Sequence, residues 1–179
     1  DKTLSKNILL VGQAGSQVTI NTVGGDVILS GKLQNDAVNN QAGIIKEGVS
    51  TLTLSGDNSS YQGKTTIKGG NIAISDAKNL GGKVAVELAG GSLKLLESLT
   101  VGANQDDSIN IIKDTRGTID TVAGTESVLA IAFKGAGVFV KEGEGKLTLS
   151  GDNTNFKGGV SVDKGILAVT SDNSLGESN

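Results

Sequence analysis

Apolar and polar residues alternate along most of this chain with a period of two. Val18 and Ile20, Val27 and Leu29, Leu52 and Leu54, and Ile72 and Ile74 follow it, as do Val84, Val86 and Leu88. The second half repeats the habit at Leu129, Ile131 and Phe133, then Val138 and Val140, Leu147 and Leu149, Val160 and Val162, and Leu167 and Val169. Each run is short, rich in branched residues, and bounded by Gly, Asn, Asp or Ser. That pattern predicts short strands with one buried and one solvated face, joined by tight turns. The pairs Gly24-Gly25, Gly69-Gly70, Gly81-Gly82, Gly90-Gly91 and Gly158-Gly159 punctuate it, since Gly reaches the positive φ that turns need. Gly90-Gly91 fits a hairpin turn or the corner of a coil, and spacing does not separate the two. Leu93–Leu99 is the best helix candidate, but it is short and flanked by strand-like sequence, so it reads as strand plus turn.

A longer periodicity lies over the short one. Lys46-Glu47-Gly48 leads into Leu52-Thr53-Leu54-Ser55-Gly56-Asp57-Asn58, and Lys141-Glu142-Gly143 leads into Leu147-Thr148-Leu149-Ser150-Gly151-Asp152-Asn153. The offset is 95 positions, and it holds without a gap to Leu80-Gly81 and Leu175-Gly176, with 15 of 36 positions identical. Tyr61/Phe156, Ile67/Val162, Ile72/Leu167 and Ile74/Val169 are conservative exchanges. Such repetition marks a solenoid, whose units bury their apolar faces by stacking on one another.

Composition narrows the picture. The 179 residues include 27 Gly and no Pro, Cys, Met, Trp or His, and 2% are aromatic. Val, Ile, Leu and Ala must therefore fill the interior, which suits a narrow cross-section. The net charge of −3 comes without a basic stripe or an aromatic platform, so nucleic acid is not the expected partner. No apolar run approaches the ~20 residues of a membrane-spanning helix. The lack of Met predicts an excised or processed piece of a longer chain. The lack of Cys excludes disulfides and suits a chain exported unfolded.

The unit Leu52–Asn58, Tyr61, Gly63, Thr65-Thr66-Ile67, Gly69-Gly70 and Ile72–Ser75 resembles the autotransporter-associated β-strand repeat of type V secreted passenger domains. Leu80-Gly81, Val84-Ala85-Val86 and Gly90-Gly91-Ser92-Leu93-Lys94-Leu95 fit it as well. So do the lead-ins Val27–Leu33 with Gly43–Lys46, and Val128–Lys134 with Gly137–Lys141. The resemblance covers about two thirds of the chain. It implies a right-handed parallel β-helix, an all-β solenoid in which residues 1–179 form one segment of a longer passenger. At ~20–25 residues per coil that predicts about seven to nine coils, with the 95-residue offset spanning about four. The resemblance also implies a bacterial cell-surface or secreted location. It implies further coils beyond Asn179, a signal peptide, and a C-terminal barrel as the link to the membrane.

The chemical inventory is thin. Without His or Cys, the Ser-His-Asp and Cys-His arrangements and the usual zinc ligands are missing, and no cofactor is expected. Asp57 and Asp152 read as turn residues bonding their own backbone rather than as Ca²⁺ ligands, because a Ca²⁺-binding roll needs an Asp in every short repeat. Tyr61 and Phe156 read as rings packed at equivalent coil corners. Asp106-Asp107 and Asp114 with Arg116, the single Arg, are the one carboxylate and guanidinium grouping that a β-helical glycan-processing enzyme could use. The simpler reading of Asp106-Asp107 is a solvated loop tip, and the chain is read as no enzyme.

Three stretches depart from the repeat: Gln34–Ala42, Gly102–Ser108 and Asp114–Thr125. Solenoid insertions become loops that carry individuality. The candidate partner-binding residues are therefore Gln34, Asn35, Asp36, Asn39 and Asn40, then Asn104, Gln105, Asp106 and Asp107, then Asp114 and Arg116. The expected function is that of an adhesin or other virulence-associated protein meeting a host cell-surface protein, glycan or matrix. The alternatives are a structural stalk without binding, and a toxin or signalling ligand for one host receptor. A coil edge left open would also permit self-association.

Overall fold

The computed structural model describes residues 1–36, 41–102 and 104–176. Strands from three faces follow one another around a common axis, and every strand pairing among the described residues is parallel. The first face holds β1 (Lys2–Leu4), β4 (Val27–Leu29), β7 (Thr51–Leu54), β9 (Asn71–Ile74), β11 (Ser92–Leu95), β14 (Arg116–Thr121), β17 (Val138–Glu142) and β19 (Val160–Val162). The second holds β3 (Gln17–Asn21), β6 (Gly43–Glu47), β8 (Thr65–Ile67), β10 (Ala85–Leu88), β13 (Ser108–Ile111) and β16 (Ala132–Gly135). The third begins with β2 (Ile8–Leu10) and β5 (Leu33–Asn35) and resumes with β12 (Thr100–Val101), β15 (Glu126–Leu129), β18 (Lys146–Leu149) and β20 (Ile166–Val169). The chain visits the eight-stranded first face once per turn, so about seven turns separate β1 from β19. The expected all-β parallel solenoid is what forms, and Gly90-Gly91 is a coil corner between β10 and β11.

Register explains the alternation. On the first face, Val27, Leu52, Ile72, Leu93 and Ile119 stack in line, and on the second, Ile44, Thr65, Val86, Ile109 and Phe133 do so. Most of these are fully buried, and burying each apolar side chain contributes about 1.5–3 kcal/mol. The intervening residues Thr53, Ala73, Lys94 and Asp120 form a second row. Lys94 there reaches Asp120 of the next turn at 2.8 Å. The three Phe residues form one cluster, with Phe133 5.1 Å from Phe139 and 6.2 Å from Phe156 between ring centroids.

The two sequence copies do not sit on the same faces. Four turns up the second face, Lys46 is followed in register by Ile67, Leu88, Ile111 and Gly135. Lys141 comes one corner later, on the first face. Likewise the Leu-Thr-Leu strand of copy one is β7 on the first face, whereas that of copy two is β18 on the third. The offset is therefore four turns plus one face, in line with the expected span of about four coils but not a whole number of them. Turn lengths vary from 20 residues between Leu52 and Ile72 to 28 between Thr100 and Val128. Sequence distance alone consequently does not return a residue to its own face.

Polar residues of the repeat hold successive turns together from inside. Asn58 is buried, accepts from Leu33 N at 2.7 Å in the turn below, and donates to Asn79 O at 2.7 Å in the turn above. Asn153 does the same between Phe133 N and Ser174 O, both at 2.7 Å. Lys46 has no exposed surface, and its ammonium donates to Glu47 O, Gly48 O and Gly69 O at 2.9–3.0 Å. Lys141 repeats this toward Glu142 O, Gly143 O and Lys164 O. Burial lowers the pKa of both lysines, and the three carbonyls around each supply the hydrogen bonds a buried ammonium requires. Tyr61 and Phe156 are buried at coil corners as expected. Asp57 accepts from the Ser59 hydroxyl and amide, which hold its carboxyl below the usual range. Asp152 accepts from Thr154 N at 3.1 Å.

Candidate binding surface

The three irregular stretches turn out to be less irregular than composition suggests. Gln34 and Asn35 belong to β5 rather than to a loop, and are half-buried. Asn35 donates to Ala42 O at 2.9 Å and accepts from Gln62 N at 2.7 Å, so it ties Ala42 to its own strand and Gln62 of the next turn to both. Asp36 is half-buried beside it. Asn39 and Asn40 lie outside the described residues.

In the second stretch Asp107 is not a solvated tip. It is buried, with one carboxylate oxygen accepting from Val84 N at 2.8 Å and the other from Asn104 N at 3.1 Å and Asn104 Nδ2 at 3.2 Å. The carboxylate closes its own turn and anchors it to the turn below. Asn104, Gln105 and Asp106 remain exposed, with Lys83 Nζ 4.0 Å from Asp106. Asn104 and Asp107 border a recess of about 240 Å³ that also touches Ser59 and Lys78.

The third stretch contains β14, the longest strand among the described residues, so half of Asp114–Thr125 is sheet and not a loop. Asp114 takes φ 62° in the exposed turn before it, a conformation Asp tolerates. Arg116 opens β14 and pairs with Asp163, two turns away on the first face, at 3.0 Å. The carboxylate and guanidinium grouping therefore does not assemble. Asp107 is committed to the Val84 and Asn104 amides and the Asn104 carboxamide, and Arg116 to Asp163.

A larger recess lies at the corner where the third face passes into the second. It encloses about 290 Å³ and is lined by Ser16, Gln17, Gln41, Gln62, Lys64 and Lys83, with Gly43 and Ala85 between them. Register accounts for its shape. Gln17, Gly43, Lys64 and Ala85 are successive positions of one row across four turns. A Cβ at Gly43 would collide with Lys64 O, so the row has a gap there, walled by Gln17 on one side and Lys64 on the other. Gln17 Nε2 donates to Thr66 Oγ1 at 3.1 Å, and Lys64 pairs with Glu87 at 3.1 Å. Sequence reading passed over these residues because Gln and Lys at alternate strand positions look like ordinary solvated residues. The available signal was the substitution of Lys64 by Gly159 and of Gln62 by Lys157 in the second copy.

The passenger-associated-transport-repeat family matches residues 44–74 and 139–169. These are the stretches that contain the buried Lys, the buried Asn and the corner ring. A curated relative, the Adhesin BmaC autotransporter of Brucella suis biovar 1 (strain 1330), is 35% identical over 167 residues, or 91% of this chain. This is repeat-bearing autotransporter passenger sequence. The chain spans 5% of that relative's length. No solved structure matches the passenger segment significantly.

Proposed function

We propose that this passenger segment is an adhesive surface, displayed on or released from the bacterial cell, that contacts a host cell-surface protein, glycan or matrix component. The observation that carries the reading is the 35% identity along 91% of the segment to a protein named as an adhesin. The location of the two recesses supports it. Both are built by residues outside the shared repeat motif or by positions where the copies differ. The reading is of a binding protein rather than an enzyme, with Asp107 and Arg116 serving the fold.

The test is binding of the labelled segment to intact mammalian cells, beside an unrelated β-solenoid stalk. Surface substitutions at Gln41, Gln62, Lys64, Gln105 and Asp106 replace loop deletion, because deleting Asp114–Thr125 would remove β14. Saturable binding that these substitutions abolish is expected. Binding no stronger than that of the control stalk would make the segment a spacer.

A further inference from the structure

We infer that the recess between Gln17 and Lys64 is a subsite for a carboxylate-bearing oligosaccharide running parallel to the solenoid axis. The inference rests on the adhesive reading and names the ligand class of one of its surfaces.

Four observations lead there. The first is that the recess is not demanded by the fold. Lys46, Asn58 and the corner ring recur in both copies and serve architecture, whereas Gln62 and Lys64 are replaced by Lys157 and Gly159 in the second copy. The solenoid therefore folds without the polar walls that copy one provides.

The second is that those walls are held in place. Gln17 Nε2 donates to Thr66 Oγ1, and Thr66 Oγ1 lies 3.5 Å from Glu87 Oε1. The other Glu87 oxygen accepts from Lys64 Nζ. Thr66 is buried, so this chain of contacts fixes both walls across three turns. Side chains already ordered lose less entropy when a ligand binds.

The third is the chemistry of the lining. Three carboxamides, one hydroxyl and two ammonium groups converge there, and Ala85, the glycines and the methylene stems of the Gln and Lys side chains supply apolar surface on which the carbon face of a sugar ring can rest. Carboxamides offer adjacent donors and acceptors that match vicinal hydroxyls. Lys83 has only a distant, highly exposed partner in Asp106, so its charge is available to a carboxylate. A peptide is a poorer match. β6, β8 and β10 each pair with strands of the turns on both sides, leaving no free edge for an extended peptide to join.

The fourth is dimension. The row from Gln17 to Ala85 crosses three inter-strand spacings, roughly 14 Å at about 4.8 Å each. The recess opens on that row, and its lining spans the strands from Gln17 to Ala85, a length that a chain of rings covers and one compact molecule does not.

The experiment titrates the isotopically labelled segment with an oligogalacturonate tetramer, with maltotetraose as the uncharged sugar and a tetraglutamate peptide as the charged non-sugar. Amide shifts are read at up to about millimolar ligand. The tetramer is expected to shift Gly43, Gln62 and Ala85 saturably, with affinity falling as salt rises. Maltotetraose and the peptide are each expected to bind at least tenfold more weakly. The double variant Lys64→Ala with Lys83→Ala, whose side chains are solvent-accessible, should keep the wild-type spectrum elsewhere and lose the response. Absence of localised shifts would overturn the inference, as would equal binding of the peptide or an unchanged response in the double variant. The same variant in the cell-binding assay separates the two readings. Saturable adhesion without tetramer binding removes the sugar and leaves the adhesin, whereas no adhesion by the wild-type segment removes the adhesin itself.

Discussion

Replacing Asn58 by Ala tests whether the shared repeat motif acts through buried polar contacts between turns. Asn58 is 1% exposed, and its carboxamide serves a backbone N–H in one neighbouring turn and a carbonyl in the other. Alanine leaves Leu33 N and Asn79 O without those partners. Each buried group so stranded costs about 1–3 kcal/mol, so the expected loss is about 2–6 kcal/mol. Urea denaturation followed by far-UV circular dichroism measures it, and hydrogen exchange at the Leu33 amide localises it. Asn58→Asp is the sharper probe, because it keeps shape and the acceptor for Leu33 N but turns a carboxylate oxygen toward Asn79 O. Burial and that carbonyl raise the folded pKa of the new Asp above its unfolded value of about 3.9. Its protonated form is then the one the fold accepts. Stability of Asn58→Asp should be highest below pH ~4 and fall as pH rises through the folded value. The reasoning is refuted if Asn58→Ala costs less than about 1 kcal/mol with Leu33 protection unchanged, or if Asn58→Asp shows no recovery in acid relative to the wild type.

Further outcomes follow from the same contacts. Lys46→Met should cost about 2–5 kcal/mol by equilibrium unfolding, since it strands Gly48 O and Gly69 O while Glu47 O keeps the Thr22 amide, whereas an exposed change such as Lys134→Met should cost under about 0.5 kcal/mol. Tyr61 donates to Lys64 O at 2.9 Å and accepts from Ile44 N at 3.1 Å, and burial pushes its phenol up to about 12. A folded pKa above the unfolded ~10 contributes stability that is complete below pH 10 and lost between pH 10 and 12. The wild type should therefore lose about 2–3 kcal/mol across that window relative to Tyr61→Phe. At neutral pH Tyr61→Phe should be mild, about 0.5–1.5 kcal/mol, because Ile44 N also bonds Lys64 O, as Phe139 N bonds Gly159 O beside Phe156 in copy two. Gly63→Ala should unfold the corner around Tyr61, seen as lost near-UV signal from the single tyrosine, because the new Cβ would overlap Ala42 O.

The sequence by itself determined the strands, their corners and which residues face inward, because a period of two and a glycine at a turn are local properties. Leu52, Leu54, Ile72 and Ile74 are buried as their alternation requires, and the offset of 95 exposed a stacked architecture before any contact was known. Tertiary structure alone decided which face each copy occupies. That depends on the summed lengths of all intervening turns, so β7 and β18 share a sequence and not a face. It also decided the fate of polar residues. Asn58, Lys46 and Asp107 look like turn or surface residues in the chain, yet each is buried, because the next turn presents backbone groups that only such side chains can satisfy. The recess at Gly43 arose the same way. Its walls, Gln17 and Lys64, stand 47 residues apart in sequence and two turns apart on one row. No local pattern records a neighbour that the winding of the chain supplies.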